Sequence, residues 1–245
     1  MPKLLIVNPN TSASVTDQLA AQAAATLPAE AVVHCITAPF GARYISSEAA
    51  AAVAGHAAMQ ACADHIAAHG RPDAVLLGCF GDPGLLALRE LLGVPVTGLA
   101  EASMRLAAAR GPYAIVTGGA AWAPMLRRLA WSLDLLTPLT AIVTVERSGA
   151  ELKADPEAAH QLLLGACREA IARDPAPSSL VLGGAALTGM GDRLAPLLGL
   201  PLLDSVVCGL EHAWALASGS EPPVEPVPPP AWTGSAEGLV RLSPR

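Results

Sequence analysis

Short aliphatic runs, each closed by Gly, Pro, Asn or Ser, alternate along the chain with longer stretches rich in Ala and Leu. Such short apolar runs read as strands buried on both faces, and the longer stretches as helices. Leu4-Leu5-Ile6-Val7 is the first strand, and Asn8-Pro9-Asn10-Thr11-Ser12 its exit loop. Ser12 or Ser14 is placed to cap a helix over Val15–Leu27. Strand Val32–Thr37 is followed by a long Ala-rich helix, Ala49–His69, which Ser46 or Ser47 can cap and Gly70 ends. Strand Ala74–Leu77 comes next, then a helix over Leu85–Leu92 that stops at Gly93, and a short strand Val94-Pro95-Val96 that Gly98 ends. The second half repeats the alternation. Helices are expected over Ala100–Ala109, Leu126–Leu133, Asp155-Pro156 to about Arg173, and Ser205–Ala217. Strands are expected at Tyr113–Val116, Thr140–Val145, Leu180–Leu182 and Leu200–Leu203. Repeated β-α units of this kind predict an α/β protein built on mainly parallel sheets flanked by helices.

The alternation contains an internal repeat. Ala74–Leu77, Gly78-Cys79, a helix and Val94-Pro95-Val96 match Leu180–Leu182, Gly183-Gly184, a helix and Leu200-Pro201-Leu202. Leu5-Ile6-Val7-Asn8-Pro9-Asn10 likewise matches Ala114-Ile115-Val116-Thr117-Gly118-Gly119. The chain therefore reads as two pseudo-symmetric lobes, with the site expected in the cleft where the carboxyl ends of their strands meet. The first lobe takes residues 1–98 plus 204–220, the second 99–203, and residues 221–245 form a Pro-rich tail. By this alignment Gly184 holds the position of Cys79.

The richest chemistry lies in Gly78-Cys79-Phe80-Gly81-Asp82-Pro83-Gly84. Asp82-Pro83 reads as an N-cap and first-turn proline of the following helix. Cys79 would then stand between the carboxyl end of a buried strand and a helix N-terminus, where open α/β sheets bind ligands. Backbone N–H groups of Phe80, Gly81 and Gly84 can hold a carboxylate there, and the same positive end can lower a thiol pKa. Taking a proton from a carbon next to a carbonyl requires a base and donors that hold the enolate oxygens, and this turn offers both.

Composition narrows the function. The net charge of −6 and the lack of a basic cluster argue against nucleic acid. No apolar run approaches the roughly 20 residues of a membrane span, and no signal peptide is visible after Met1-Pro2-Lys3. Cys35, Cys62, Cys79, Cys167 and Cys208 are scattered and contain no CxxC pair, which fits a reducing cytoplasm and no zinc site. The six histidines show no metal spacing, and His65 and His69 read as a solvated helix face. Trp122, Trp131 and Trp214 read as packing residues. Gly118-Gly119 is too short for a dinucleotide fingerprint. Asp204 and Glu101 suit helix capping or orientation of polar groups. The proline-rich 221–230 stretch is polyproline-like and suited to wrapping a surface or another subunit.

The segments Leu5–Ser12, Gly78–Leu85, Val94–Ala102 and Pro201–Val206 resemble the aspartate/glutamate/hydantoin racemase family, in particular its hydantoin and allantoin racemase branch. The resemblance covers about residues 3–217. It implies a cofactor-independent enzyme with no metal that moves the α-proton of an amino-acid derivative or hydantoin with one thiol from each lobe. Cys79 matches the first-lobe thiol. Asn8, Asn10, Thr11, Phe80, Gly81, Thr117, Gly118, Gly184 and Ala185 match stretches that surround the substrate. A small-molecule substrate and a homo-oligomeric, cytoplasmic enzyme are expected. The chain departs from the family at its second thiol, where it reads Leu182-Gly183-Gly184-Ala185. Arylmalonate decarboxylase, a relative of the family, also works with one cysteine, which matches the other lobe. The alternatives are therefore a single-cysteine decarboxylase or lyase passing through an enediolate, or a catalytically silent binding protein.

Overall fold

A computed structural model describes residues 1–147 and 149–219, without the side chains of residues 149, 150 and 153. The Pro-rich tail lies outside the described residues. The described chain divides into two compact units, one of Met1–Gly98 together with the described residues from Leu210 on, the other of Leu99–Gly209.

The first unit runs β1 (Lys3–Asn8), α1 (Ala13–Thr26), β2 (Val32–Thr37), α2 (Glu48–His69), β3 (Ala74–Leu77), α3 (Leu85–Leu92) and β4 (Val96–Gly98). The second runs α4 (Leu99–Ala108), β5 (Tyr113–Gly118), α5 (Trp122–Ser132), β6 (Leu139–Val145), α6 (Gly149–Ala154), α7 (Pro156–Ile171), β7 (Ser179–Gly183), α8 (Gly191–Leu194) and β8 (Leu202–Asp204). Helix α9 (Ser205–Ala217) begins in the second unit and ends in the first. Each unit holds a four-stranded, all-parallel sheet, ordered β2-β1-β3-β4 in one and β6-β5-β7-β8 in the other. The two orders are the same permutation, so the internal repeat is a repeat of topology.

Register fixes the equivalences. Val7 pairs with Leu77 in the first sheet, and Val116 with Leu182 in the second. One residue further, Gly78 matches Gly183, and Cys79 matches Gly184. Because parallel crossovers are right-handed, reversing direction at β1 puts α1 on one face of the first sheet and α2 and α3 on the other. That reversal makes the gap between the carboxyl ends of β1 and β3 the switch point where such sheets bind ligands. The corresponding gap in the second unit lies between β5 and β7.

Strands β1, β3 and β5 are almost wholly buried, as their continuous aliphatic runs require. The core of the second unit gathers Val116, Leu163, Cys167, Leu180 and Leu182. Ser47 caps α2 by accepting from the Ala50 N–H at 3.1 Å, and Asp155 caps α7 by accepting from Ala158 at 3.1 Å. Ser12 precedes α1 without a side-chain cap bond. Strand ends slide relative to the sequence reading: β4 begins at Val96 and β8 at Leu202. The Pro95 and Pro201 carbonyls still accept from Val75 and Leu180 at 2.9 Å, but a proline has no N–H to extend the ladder. Trp131 departs from the packing role expected of it, since it lies 70% exposed on α5.

Candidate active site

The β3–α3 loop is shaped by close approaches. Gly78 donates its N–H to Val7 O at 2.8 Å. A Cβ on Gly78 would meet Leu19 Cδ1 of α1 at 2.4 Å, so a side chain there would require the Leu19 end to move. Two turns follow, with Asp82 N–H donating to Cys79 O and Leu85 N–H to Asp82 O, both at 3.1 Å. Asp82 adopts a left-handed φ of 48° and Gly84 one of 86°. The helix therefore starts at Leu85, after Gly84, and has no side-chain cap. This corrects the reading of Asp82-Pro83 as N-cap and first turn. The Asp82 carboxylate stands over Gly98 at the end of β4. A Cβ on Gly98 would sit 2.1 Å from Asp82 Cγ.

That turn places a carboxylate beside the thiol. Cys79 is 9% exposed and Asp82 3%. Burial, and then the charge of Asp82, push the Cys79 thiol well above its ordinary pKa. The lowered pKa expected from a helix end is thereby overturned: α3 begins too far along the chain, and desolvation dominates. Cys79 is held as a thiol at neutral pH. Burial also raises Cys35 and Cys167 to about 11 and Cys62 to about 12. Replacing Asp82 by Asn removes the repulsion while keeping size. Iodoacetamide labelling of Cys79, slow in the natural protein at neutral pH, should accelerate in Asp82→Asn and reach its alkaline plateau at lower pH. Mass-spectrometric mapping of the labelled cysteines reads this, and an unchanged profile would remove Asp82 from the thiol's control.

The N–H groups of Phe80 and Gly81 make no hydrogen bond among the described residues. The Gly84 N–H differs, because the Gly84 backbone packs on Gly55 of α2, where a Cβ would stand 3.1 Å from Gly84 N. The Phe80 side chain is buried. On the facing side of the switch point, Asn8 is committed to structure. Its Nδ2 donates to Ser12 O at 3.0 Å and Thr16 Oγ1 at 3.1 Å, and its Oδ1 accepts from Asn10 N–H at 3.1 Å. Asn10 Oδ1 accepts from Ser12 N–H at 2.9 Å, and Thr11 N–H donates to Ala42 O at 3.1 Å. Asn10 Nδ2 and Thr11 Oγ1 have no hydrogen-bond partner among the described residues. Asn8 thus braces the loop that presents these two donors.

The equivalent loop of the second unit carries no thiol. Gly184 has φ 129°, and its N–H donates to Ser205 Oγ at 3.1 Å. Ala185 opens a short 3-10 turn, Ala185–Leu187. Thr117 Oγ1 donates to Gly183 O at 2.7 Å, so this hydroxyl ties β5 to β7, and Gly118 is buried beside it in β5. Thr188 Oγ1 donates to Ala185 O at 2.9 Å. Asp204 accepts from the N–H groups of Val206 at 2.8 Å, Val207 at 3.4 Å and Gly189 at 3.2 Å. Its pKa is nonetheless raised, chiefly by burial. Glu101 is fully buried and accepts from Arg105 Nε at 2.9 Å. Among the described residues no group of three His, Cys, Asp or Glu is placed to hold a metal ion, and no helix is long and apolar enough to cross a membrane.

The model of a family described as Asp/Glu/hydantoin racemase matches residues 4–213. The chain belongs to the Asp/Glu/hydantoin racemase family. It is 28% identical to the hydantoin racemase of Paenarthrobacter aurescens over 217 residues, covering 88% of this chain and 91% of the relative. The allantoin racemase of Pseudomonas fluorescens superposes with a TM-score of 0.86 at 27% identity, covering 95% of this chain and all of that one. A glycine-to-cysteine, cysteine-to-serine double mutant of arylmalonate decarboxylase, in its liganded form, shares the fold with a TM-score of 0.68 at 15% identity, covering 91% of this chain and 97% of that one. The chain is a racemase-like enzyme acting on a small molecule.

Sequence reasoning named Cys79 and the loops around it. It missed Asp82 as a neighbour of the thiol, taking it for a cap. The available signal was an acid three positions after a cysteine in a turn with glycines on both sides of it.

Proposed function

We propose that the protein racemises a hydantoin or related amino-acid derivative by moving the proton on the carbon next to a carbonyl, with Cys79 as the protein's acid/base. The observation that carries this reading is the placement of the Cys79 thiol at the β1/β3 switch point beside the unpartnered N–H groups of Phe80 and Gly81. Likeness to hydantoin and allantoin racemases supports the substrate class. Removing the proton leaves negative charge on the carbonyl oxygen. N–H groups that point at that oxygen, together with Asn10 Nδ2 and Thr11 Oγ1, stabilise the enolate more than the neutral substrate. The thiolate must form for the first step, with the S–H proton passing to solvent before the loop closes over the substrate. A substrate that displaces water from the loop and replaces it with N–H···O bonds makes the proton transfer internal to the complex. Cys79, now a thiol, stands on one face of the carbanion, so racemisation requires a second donor, such as a water, to return a proton on the other face.

The raised Cys79 pKa and the glycine at 184 favour one further reading, a decarboxylase. There, loss of carbon dioxide generates the enediolate, and a resting thiol need only donate one proton. Both readings need no cofactor. The scattered free cysteines support a cytoplasmic enzyme, and a homo-oligomer is part of the same proposal.

One experiment separates these readings. The protein is incubated in heavy water with single enantiomers of 5-substituted hydantoins and allantoin, with amino acids, and with arylmalonates. Deuterium at the reacting carbon, with loss of optical purity and no carbon dioxide, is the expected result for a hydantoin. Carbon dioxide release from a malonate alone would select the decarboxylase. Neither event with any of the compounds would leave the binding-protein alternative.

A further inference from the structure

The opposite edge of the first sheet carries a second constellation, away from the Cys79 loop. At the amino ends of β1 and β2, and in the loop that leads into β3, Lys3, His34, His65, His69 and Arg71 line a cavity of about 190 Å³. The three imidazoles pack together. Ring centroids lie 5.1 Å apart for His34 and His65, 5.6 Å for His34 and His69, and 4.7 Å for His65 and His69. His65 and His69 come from successive turns of α2, and His34 from β2. The sequence reading of His65 and His69 as a solvated face did not bring in His34, because the β2 partner is visible only in the fold.

We propose that this cavity binds a small multivalent oxyanion of the phosphate type. Two permanent cations and three imidazoles line it, and no carboxylate does. Two acids of these elements make hydrogen bonds of their own. Asp73 accepts from the Lys3 N–H at 2.7 Å, and Asp64 accepts from Gln60 at 2.8 Å. Arg71 also donates to the Leu92 carbonyl, which holds its side chain beside the cavity. Burial, and then the neighbouring His34 and His69, hold the His65 imidazole below the usual histidine range. An anion reverses that balance, because the protonated His65 ring then donates to it. Binding is therefore coupled to proton uptake and tightens as pH falls. A divalent metal is disfavoured in the same space by Lys3 and Arg71, and the described histidines are not placed to hold one.

The charged and titratable groups that line the cavity are Lys3 from β1, His34 from β2, His65 and His69 from α2, and Arg71 from the following loop; Asp64 of α2 and Asp73 of that loop lie outside the lining. The test is isothermal titration calorimetry of the full chain with inorganic phosphate and with pyrophosphate, at about pH 6 and about pH 8, in two buffers of different ionisation enthalpy. Binding at the lower pH is expected, with protons taken up from buffer, and with affinity changing about tenfold per pH unit for each proton linked. Pyrophosphate should bind more tightly than phosphate. Lys3→Gln and His69→Gln, both at exposed positions, should each weaken binding by about tenfold without changing the melting curve of the unliganded protein. Three outcomes would overturn the proposal: no heat from either anion at the lower pH, unchanged affinity in both variants, or tight zinc binding at this cluster that His65→Gln abolishes. None of these outcomes bears on Cys79, so the site fails or stands separately from the proposed racemisation.

Discussion

Cys79→Ala should lose turnover by about a thousandfold or more while keeping its fold. An acid/base group that moves a proton in the rate-limiting step contributes roughly 10²–10⁴, and the protein offers no second thiol at the equivalent Gly184 to take over. The substitution removes one buried sulfur of a neutral thiol and adds neither bulk nor charge beside Asp82. Stability should therefore change little, and thermal melting should show it. Affinity for a non-reactive hydantoin analogue should be kept, because the N–H groups of Phe80 and Gly81 and the Asn10 amide are unaffected. Loss of kcat with KM nearly unchanged is the expected kinetic pattern.

Gly184→Cys should raise racemisation by about a hundredfold, since it supplies an acid where the repeat lacks one. Space is available: a Cβ at Gly184 would meet only Leu187 Cγ, at 3.9 Å. The backbone is the obstacle. Its φ of 129° is a conformation that side chains rarely adopt, and holding cysteine there costs roughly 1–3 kcal/mol. The loop can relax only by giving up the Gly184 N–H bond to Ser205 or the turn closed by Leu187 N–H on Gly184 O. The variant should thus melt at lower temperature and racemise faster. A well-folded variant with no gain would mean that the proton on that side does not come from position 184. If the natural protein already racemises fast, Thr188→Val and Cys208→Ala test the remaining donors. The Thr188 hydroxyl donates to Ala185 O in the resting protein.

Much of the fold is visible in the chain because a parallel sheet makes unusual demands. Strands buried on both faces must be continuous aliphatic runs, and Leu4–Val7, Ala74–Leu77 and Ala114–Val116 are such runs. Parallel strands need helical crossovers, so their alternation is equally plain. The repeat around Gly78-Cys79 and Gly183-Gly184 was legible because both follow a strand of matching register. What failed was local conformation in the Cys79 loop. Asp-Pro ahead of a helical pattern satisfies every rule for a cap, yet Gly84, packed on Gly55, moves the helix start past it. A contact between distant backbones decides that, and no window of sequence contains it. The thiol pKa went the same way: the sequence shows the helix but not the burial or the direction of the Asp82 carboxylate. The histidine cluster shows a further limit, since His34 joins His65 and His69 only through the pairing of β2 with β1.

The most direct test follows a single enantiomer of a 5-substituted hydantoin in heavy water, with the natural protein and with Cys79→Ala side by side. Circular dichroism gives the loss of optical purity, and proton NMR the exchange at the reacting carbon. If Cys79 carries the proton, the natural protein produces both signals and Cys79→Ala produces neither above the uncatalysed rate. Exchange at the natural rate in a folded Cys79→Ala would contradict it.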